Sequence, residues 1–282
     1  MTAYQFSDAL GCSFDELAEL HNASFAGYFF PMTMTSHMTA DFWRVHQIDA
    51  TRCVVMRDAS GGFVGMARVG TRGDCGWCGG FGIVPEYRGT GAGRLLAAAM
   101  VRVAGESGLA TLQLEVLTQN ARAIRLYEGA GFVTHRRLFG IELATEALPA
   151  DPQGAELAAA TEPVPVETLL PWLLSQPAER QSWGREPASL LTMRCEGLAL
   201  RQNDEYTCGL IAQSGGEKLR IQAAFFPPSL SDATVAGLLR RAAGSASGIQ
   251  VFNEPEGSDF LARCRRLGFG EFFTQHEMWL TL

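Results

Sequence analysis

Two periods of hydrophobic spacing run through the first half of the chain. Leu95, Leu96, Ala99, Met100 and Val103 recur at three- and four-residue steps, the spacing of one helical face. They predict a helix over residues 91–107, stopped by Gly108. Residues 53–56 and 63–69 are rich in β-branched and apolar residues and flank Ala59-Ser60-Gly61-Gly62, so they read as strands joined by a turn. Residues 77–84 form another strand, ended by Pro85. A strand over 112–117, a helix over 121–130 and a strand over 138–143 follow. Near the start, Ser13-Phe14-Asp15-Glu16 is a capping box, since Ser13 can accept from the amide three residues on and Glu16 can reach back. A helix from there to about residue 25 and a shorter one over 39–43 complete the half. The class is α/β or α+β.

The second half repeats this order. Residues 112–132, LQLEVLTQNARAIRLYEGAGF, align without a gap with residues 249–269, IQVFNEPEGSDFLARCRRLGF. Leu112, Gln113 and Gly131-Phe132 fall on Ile249, Gln250 and Gly268-Phe269. A tandem duplication is expected. Between the copies, residues 144–165 are rich in alanine and proline and carry no base, so they read as a linker. The expected domains are 1–143 and 166–282.

Composition narrows the partners. The 282 residues are 47% hydrophobic and 19% charged, an ordinary globular balance. A net charge of −7 argues against nucleic acid or an anionic membrane and leans toward cationic substrates. The seven cysteines are scattered, the first residues do not read as a secretory signal, and no apolar run reaches membrane-spanning length. A reduced cytoplasmic compartment is expected. Cys75-Gly76-Trp77-Cys78 has redox or zinc spacing, but no second pair completes a metal site, so no metal is expected.

Chemistry concentrates in residues 87–96, YRGTGAGRLL. Gly89, Gly91 and Gly93 stand between a strand and a helix, flanked by Arg88 and Arg94. Amides at a helix start are unpaired and the helix dipole is positive there. Glycines let an anion, most often phosphate, rest directly on them. The P-loop and dinucleotide glycine patterns are both absent. What is present is R-x-x-G-x-G, filled by Arg88, Gly91 and Gly93.

This stretch resembles the acyl-CoA pyrophosphate loop of the GCN5-related N-acetyltransferases, whose pattern is Q/R-x-x-G-x-G/A. A second block strengthens the resemblance: Asn120, Ala123, Leu126-Tyr127-Glu128 and Gly131-Phe132 are similar to that family's N-x-x-A-x-x-L-Y-E-x-x-G-F segment. It covers about residues 5–143. It implies a mixed, mostly antiparallel sheet flanked by helices, here in two copies. It implies acetyl-CoA as cosubstrate and a small-molecule or peptide amine as acceptor. Strand residues Phe81, Gly82, Ile83 and Val84 would pair with the pantetheine arm and the thioester. Arg88, Gly89, Thr90, Gly91, Ala92, Gly93 and Arg94 would hold the pyrophosphate. Asn120 would contact the cosubstrate near the pantetheine, and Tyr127 would stand near its sulfur.

The chemistry suits those positions. Tyrosine titrates near 10 and a thiol near 8.5, so Tyr127 can protonate the departing thiolate as general acid. The base stays open. Glu115, a charge inside an apolar strand, is one candidate, and a strand-end carboxylate paired with arginine is an equal reading of it. His37 and His46 lie in the part that shapes the acceptor site but read as surface or structural histidines. Residues 28–32 and Phe42-Trp43 could line the acceptor pocket or serve as core or dimer contact. In the second copy, Ser231 to Ala236 align with the loop. Every glycine is gone, Asp232 stands where pyrophosphate would lie, and Cys264 replaces Tyr127. That copy reads as degenerate, closing the acceptor cleft or replacing a dimer partner, in a monomer with pseudo-dimeric halves or a homodimer. A catalytically weak acyl-CoA-binding sensor or assembly module is the alternative to an enzyme.

Overall fold

The structure is a computed structural model and describes residues 4–150 and 152–282. The chain divides into two compact units, residues 1–135 with 276–282, and residues 136–275.

In the first unit, β1 (Gln5–Ser7) leads to α1 (Phe14–Ser24) and α2 (Ser36–His46). Ser13 and Glu16 form the reciprocal capping box that opens α1. Thr35 caps α2, which begins three residues before the sequence pattern suggested because its first turn is polar. Strands β2 (Val54–Arg57), β3 (Phe63–Arg72) and β4 (Cys75–Ile83) then form an antiparallel run with β1 at its edge. After a 3₁₀ turn at Pro85–Tyr87 come α3 (Ala92–Glu106), β5 (Thr111–Leu117) and α4 (Ala121–Gly129). Strand β5 runs parallel to β4.

The pairing of β4 to β5 sets up everything that follows. It holds from Cys75↔Thr111 to Cys78↔Leu114 and stops there. Strand β4 continues to Ile83 paired only to β3. The sheet therefore opens between Gly79–Ile83 and the end of β5. Helix α3 covers one face through Leu96, Met100 and Ala104, all in the main core with Leu112, Leu114 and Phe132. Helix α1 covers the other through Leu17 and Leu20, with Val55 and Met66.

The second unit begins within β6 (Val133–Ala144). That strand starts before residue 138, and the hydrophobic pattern misses its start because the first three residues are exposed and carry no apolar alternation. The stretch 144–165, read as a linker, is folded. It carries α5 (Pro152–Ala159) and β7 (Thr161–Val164). Its small residues have a packing reason: Gly154 lies so close to Gly237 that a Cβ on Gly237 would stand 2.6 Å from its backbone. Then follow α6 (Val166–Ser175), the short α7 (Pro187–Leu190), β8 (Glu196–Gln202), β9 (Glu205–Gln213), β10 (Lys218–Phe225), α8 (Asp232–Ala243), β11 (Gly248–Pro255), α9 (Asp259–Arg266) and β12 (Gly270–Thr281). Strands β7, β8, β9 and β10 are antiparallel neighbours, and β10 pairs parallel with β11. This repeats the first unit's plan. Gly76↔Leu112 in the first parallel pair corresponds to Leu219↔Ile249 in the second, the match that the sequence repeat requires.

The end of β12 belongs to the first unit. Met278 is fully buried in that unit's main core, and the amide of Leu282 donates to the Ala110 carbonyl at 3.0 Å. Deleting a buried Met side chain costs about 2–5 kcal/mol. Met278→Ala is therefore expected to lower the first unit's stability by that order, measured by denaturant unfolding.

Candidate active site

The glycine loop folds as a tight turn into α3. Gly89 has φ +86° and Gly91 φ +95°, a left-handed conformation that side chains resist. Gly91 is the N-cap of α3 and supplies no capping side chain. The Thr90 hydroxyl folds back onto the Tyr87 carbonyl at 2.8 Å. Among the described residues the amides of Gly89, Gly91 and Gly93 find no acceptor. Gly93 differs from its neighbours, because its φ is ordinary and a Cβ there would make only ordinary contacts, with Leu126 at 3.6 Å and Ile83 at 3.9 Å. The fold has no need of glycine at that position, and glycine in a helix costs up to about 1 kcal/mol relative to alanine.

A cleft of about 480 Å³ lies in front of these amides. Phe81, Gly82, Ile83, Arg88, Gly89, Gly91, Gly93, Arg94 and Asn120 line it, and so do Arg122 and Arg125 from the start of α4. Among the described residues, no acidic one lines it. In a chain of net charge −7, this is a local reversal of sign. Exposed amides at a helix N-terminus beside several arginines form an anion site. Of the other expected residues, Ala92 is fully buried and Val84 is packed with the α1-side core. Thr90 is exposed beside the cleft.

Arg88 does not offer its guanidinium to the cleft as a free charge. It donates to the carbonyls of Ile83 (3.0 Å), Ser24 (3.1 Å) and Ala26 (2.9 Å). It thus ties the end of β4 to the segment after α1.

Asn120 caps α4 by accepting from the Ala123 amide at 3.2 Å, and its side chain also hydrogen-bonds the Tyr28 hydroxyl. Tyr28 lines the cleft. Burial raises its phenol above the usual value, against the effect of that bond. Tyr127 lies one layer deeper, edge-on to Phe81 and Phe132 at ring separations of 5.7 and 5.9 Å. Burial pushes its phenol well above 10, with Cys78 and Tyr28 adding to the shift. Tyr28 was read from the sequence only as part of an apolar cluster that could line the acceptor pocket, and Arg122 and Arg125 were given no role. The two arginines sit inside the Asn120–Phe132 block and were legible there. Tyr28 lies in an irregular segment with no periodic signal.

The opposite face of the opening is aromatic. The Trp77 indole donates to Glu115 Oε2 at 2.6 Å. Glu115 is the first residue of β5 beyond the paired stretch, so it stands at the mouth of the opening. Phe42 and His46 from α2 pack on Trp77, at ring separations of 6.1 and 5.1 Å. His46 is partly buried, in a shell set by α2 and Trp77. His37 is exposed. His21 is fully buried, its Nε2 within 2.7 Å of the Met32 carbonyl. The thiols of Cys75 and Cys78 are unbridged, and burial pushes Cys78 up to about 12.

The corresponding helix start in the second unit is satisfied from within. Ser231 caps α8 by accepting from the Thr234 amide at 3.1 Å. Asp232 binds Arg266 at 2.7 Å and Arg263 at 3.0 Å. Those contacts, the Arg266 bond first, hold its carboxyl below the usual range. A carboxylate of the chain itself occupies this helix terminus.

Comparisons agree with this architecture. Residues 14–132 match the model of the acetyltransferase (GNAT) family. Over its whole length the chain is similar to a GCN5-related N-acetyltransferase from Sphaerobacter thermophilus, with TM-score 0.70 and 14% identity over 99% of this chain and 95% of that one. It is similar to a tandem GNAT protein from the clavulanic acid biosynthesis pathway, with TM-score 0.68 and 14% identity over 99% and 98%. A third, from Anabaena variabilis, aligns at TM-score 0.61 and 16% identity over 98% and 72%. At such identities these likenesses establish the fold. No curated protein sequence matches the chain. Residues 14–132 thus carry a GNAT acetyltransferase domain, and the chain as a whole has the fold of these tandem structures. Among the described residues, no helix is long and apolar enough to cross a membrane.

Burial pushes His21 and His46 down to about 4, aided by the positive charge of Arg68 at both and of Arg72 at His46. An unfolded histidine titrates near 6.5, so the unfolded chain binds more protons than the folded one between about 6.5 and 4. Stability is therefore expected to be full above about pH 6.5 and to fall as pH drops toward 4. Urea unfolding at pH 7 and pH 5 measures the loss, and His46→Phe should make it shallower.

Proposed function

We propose that the first unit transfers the acetyl group of acetyl-CoA to a primary amine by direct attack. The observation that carries this reading is the cleft: unpaired amides at the α3 start, several arginines and no acid, beside a strand that has left its partner. A pyrophosphate needs the first part and a pantetheine arm the second. Amides from Gly89 to Gly93 and the side chain of Arg94 would hold the pyrophosphate, with Thr90 and Ala92 shaping the turn. Arg122 and Arg125 would meet the remaining phosphate charge. Phe81, Gly82, Ile83 and Val84 supply the open strand edge, and Arg88 holds that edge in place through the three carbonyls it binds.

In the reaction a bond forms between the amine nitrogen and the acyl carbon, and the carbon–sulfur bond breaks. A strand amide at the opening would polarise the thioester carbonyl. The amine gives up a proton, and Glu115 at the mouth is the proposed base, acting through water. The thiolate takes a proton, for which Tyr127 is the proposed acid. Burial raises its phenol, so it is protonated at neutral pH like any tyrosine but gives its proton to a thiolate less readily. Tyr28 is a second hydroxyl for the same step, since it lines the cleft and is oriented by Asn120. The second unit is proposed to have lost CoA binding, with Asp232 taking the anion's place.

Two measurements test this. Calorimetry with acetyl-CoA should find one site per chain. Gly93→Asp should leave the melting temperature unchanged or raise it, because an acid in the first turn of a helix is stabilising by about 0.3–1 kcal/mol. The same carboxylate should weaken acetyl-CoA binding at least about 100-fold, the effect of a like charge at a phosphate site. Undiminished affinity would place the pyrophosphate elsewhere. Free-thiol release on a panel of amines then reads turnover. Tyr127→Phe should lower kcat more than acetyl-CoA affinity. If only Tyr28→Phe does so, the acid is Tyr28, and binding without release on any amine would make the protein a sensor.

A further inference from the structure

The sheet of the second unit opens as well. Strand β10 pairs parallel with β11 from Lys218↔Gly248 to Ile221↔Val251 and no further. Beyond that point β10 runs on to Phe225 paired with β9, and β11 runs on to Pro255. A cavity of about 310 Å³ lies in this opening, lined by Ala223, Ala224 and Phe225 from one strand and by Glu254 from the other. Its volume is within the range of small-molecule sites. Its walls are apolar: Leu170 and Leu173 of α6 and Leu190 of α7 pack in one cluster with Ala223 and Phe225.

The cavity also has a charged lining. Arg185 and Glu254 are 4% and 1% exposed, both line it, and they form an ion pair with each other. Arg185 Nε donates to the Gln222 carbonyl at 2.8 Å, the first residue of β10 past its last pair with β11. The other Glu254 oxygen accepts from the Ser258 hydroxyl, and Ser258 caps α9 by accepting from the Leu261 amide at 2.9 Å. This network fastens β10, β11 and α9 to the segment before α7. It leaves one part unused: among the described residues, no acceptor takes the Nη2–H groups of Arg185. Buried donors normally find partners.

Charge then narrows the occupant. The buried pair is neutral as a whole, and both oxygens of Glu254 are taken, so a cation finds no counter-ion inside. At the mouth Arg180 and Glu186 pair at 3.2 Å, and Glu179 adds an acid that opposes an anion. Glu179 is exposed, where pairing with a cation is worth little. The strand edge adds direction. Alternate residues of β10 beyond Ile221 pair with β9, and those between them turn their backbone groups to the opening.

We infer that this opening is a second binding site, for a small uncharged molecule with an apolar body and an amide group. The apolar body fills the leucine-lined part. The amide carbonyl accepts from Arg185, and its N–H pairs with the free edge of β10. The inference does not depend on the reaction proposed for the first unit.

The test uses the full chain with CoA present, so that the first unit's cleft is filled. The probes are two matched sets: 2-phenylacetamide with phenylacetate and phenethylamine, and hexanamide with hexanoate and hexylamine. Ligand-observed NMR titration reads the affinities. At least one amide should bind at least about fivefold more tightly than its acid and its amine, the scale of one hydrogen bond. Ala223→Leu, which fills the cavity, should abolish that binding while far-UV circular dichroism stays native. Arg185→Met combined with Glu254→Leu replaces the buried pair by apolar side chains, a change that folds often tolerate. It should weaken amide binding at least about fivefold. No binding by either amide, an acid or amine that binds as well as its amide, or wild-type affinity in Ala223→Leu or in the double variant would overturn the inference. If the double variant does not fold, the ranking of the probes and Ala223→Leu decide it.

Discussion

A sheet that opens along its middle must keep two strands apart while their backbone groups are still able to pair. In the first unit the stretch of β4 beyond the last pair is closely packed by other side chains. The stretch after Cys78 is Gly79-Gly80-Phe81-Gly82, and its three glycines are glycines because other groups fill their side-chain space. The Trp77 ring lies where a Cβ of Gly79 would go, the Arg68 guanidinium where that of Gly80 would go, and Ser24 of α1 stands 2.6 Å from that of Gly82. Trp77 is held in turn by its bond to Glu115 at the end of the paired stretch. Arg88 fastens the far end of the strand to the segment after α1. The cleft, the amides at its floor and the aromatic wall on the other face all depend on that one separation.

The second unit shows what the same plan does without the ligand chemistry. Its parallel strand pair, its capped helix and its Gly-Phe turn repeat those of the first. Its helix terminus is closed by Ser231 and by an Asp232 carboxylate clamped between two arginines. Unpaired amides at a helix start need some partner. One unit supplies it from its own side chains and the other leaves it open, which is the physical basis for proposing that only the first takes up an anionic cosubstrate.

Local features of both units were legible in the sequence. The capping box of α1, the apolar stripe of α3 and the glycine turn each rest on residues within a few positions of one another, and each stands where the spacing put it. The repeat was legible for the same reason, because strand, helix and Gly-Phe turn keep their spacing in both copies. Errors came where composition stood in for structure. An alanine-rich stretch read as a linker became α5 and β7, since small residues also let helices approach closely. Tyr28 was weighed only as one of an apolar cluster, because its position beside Asn120 depends on a residue far along the chain.

The sequence by itself determined that one copy has a glycine-rich helix start flanked by arginines and that the other has an acid and no glycine there. That follows from backbone conformation and charge at adjacent positions, which need no knowledge of the rest of the chain. Only the tertiary structure decided which face of the opening carries Glu115, that His46 packs on Trp77, and that Met278 completes the first unit's core. Only it left Arg68 buried with no counter-ion among the described residues. Burial and the absence of a partner are properties of everything that surrounds a side chain, and those surroundings come from β4, α2 and the segment before it, which no local pattern brings together.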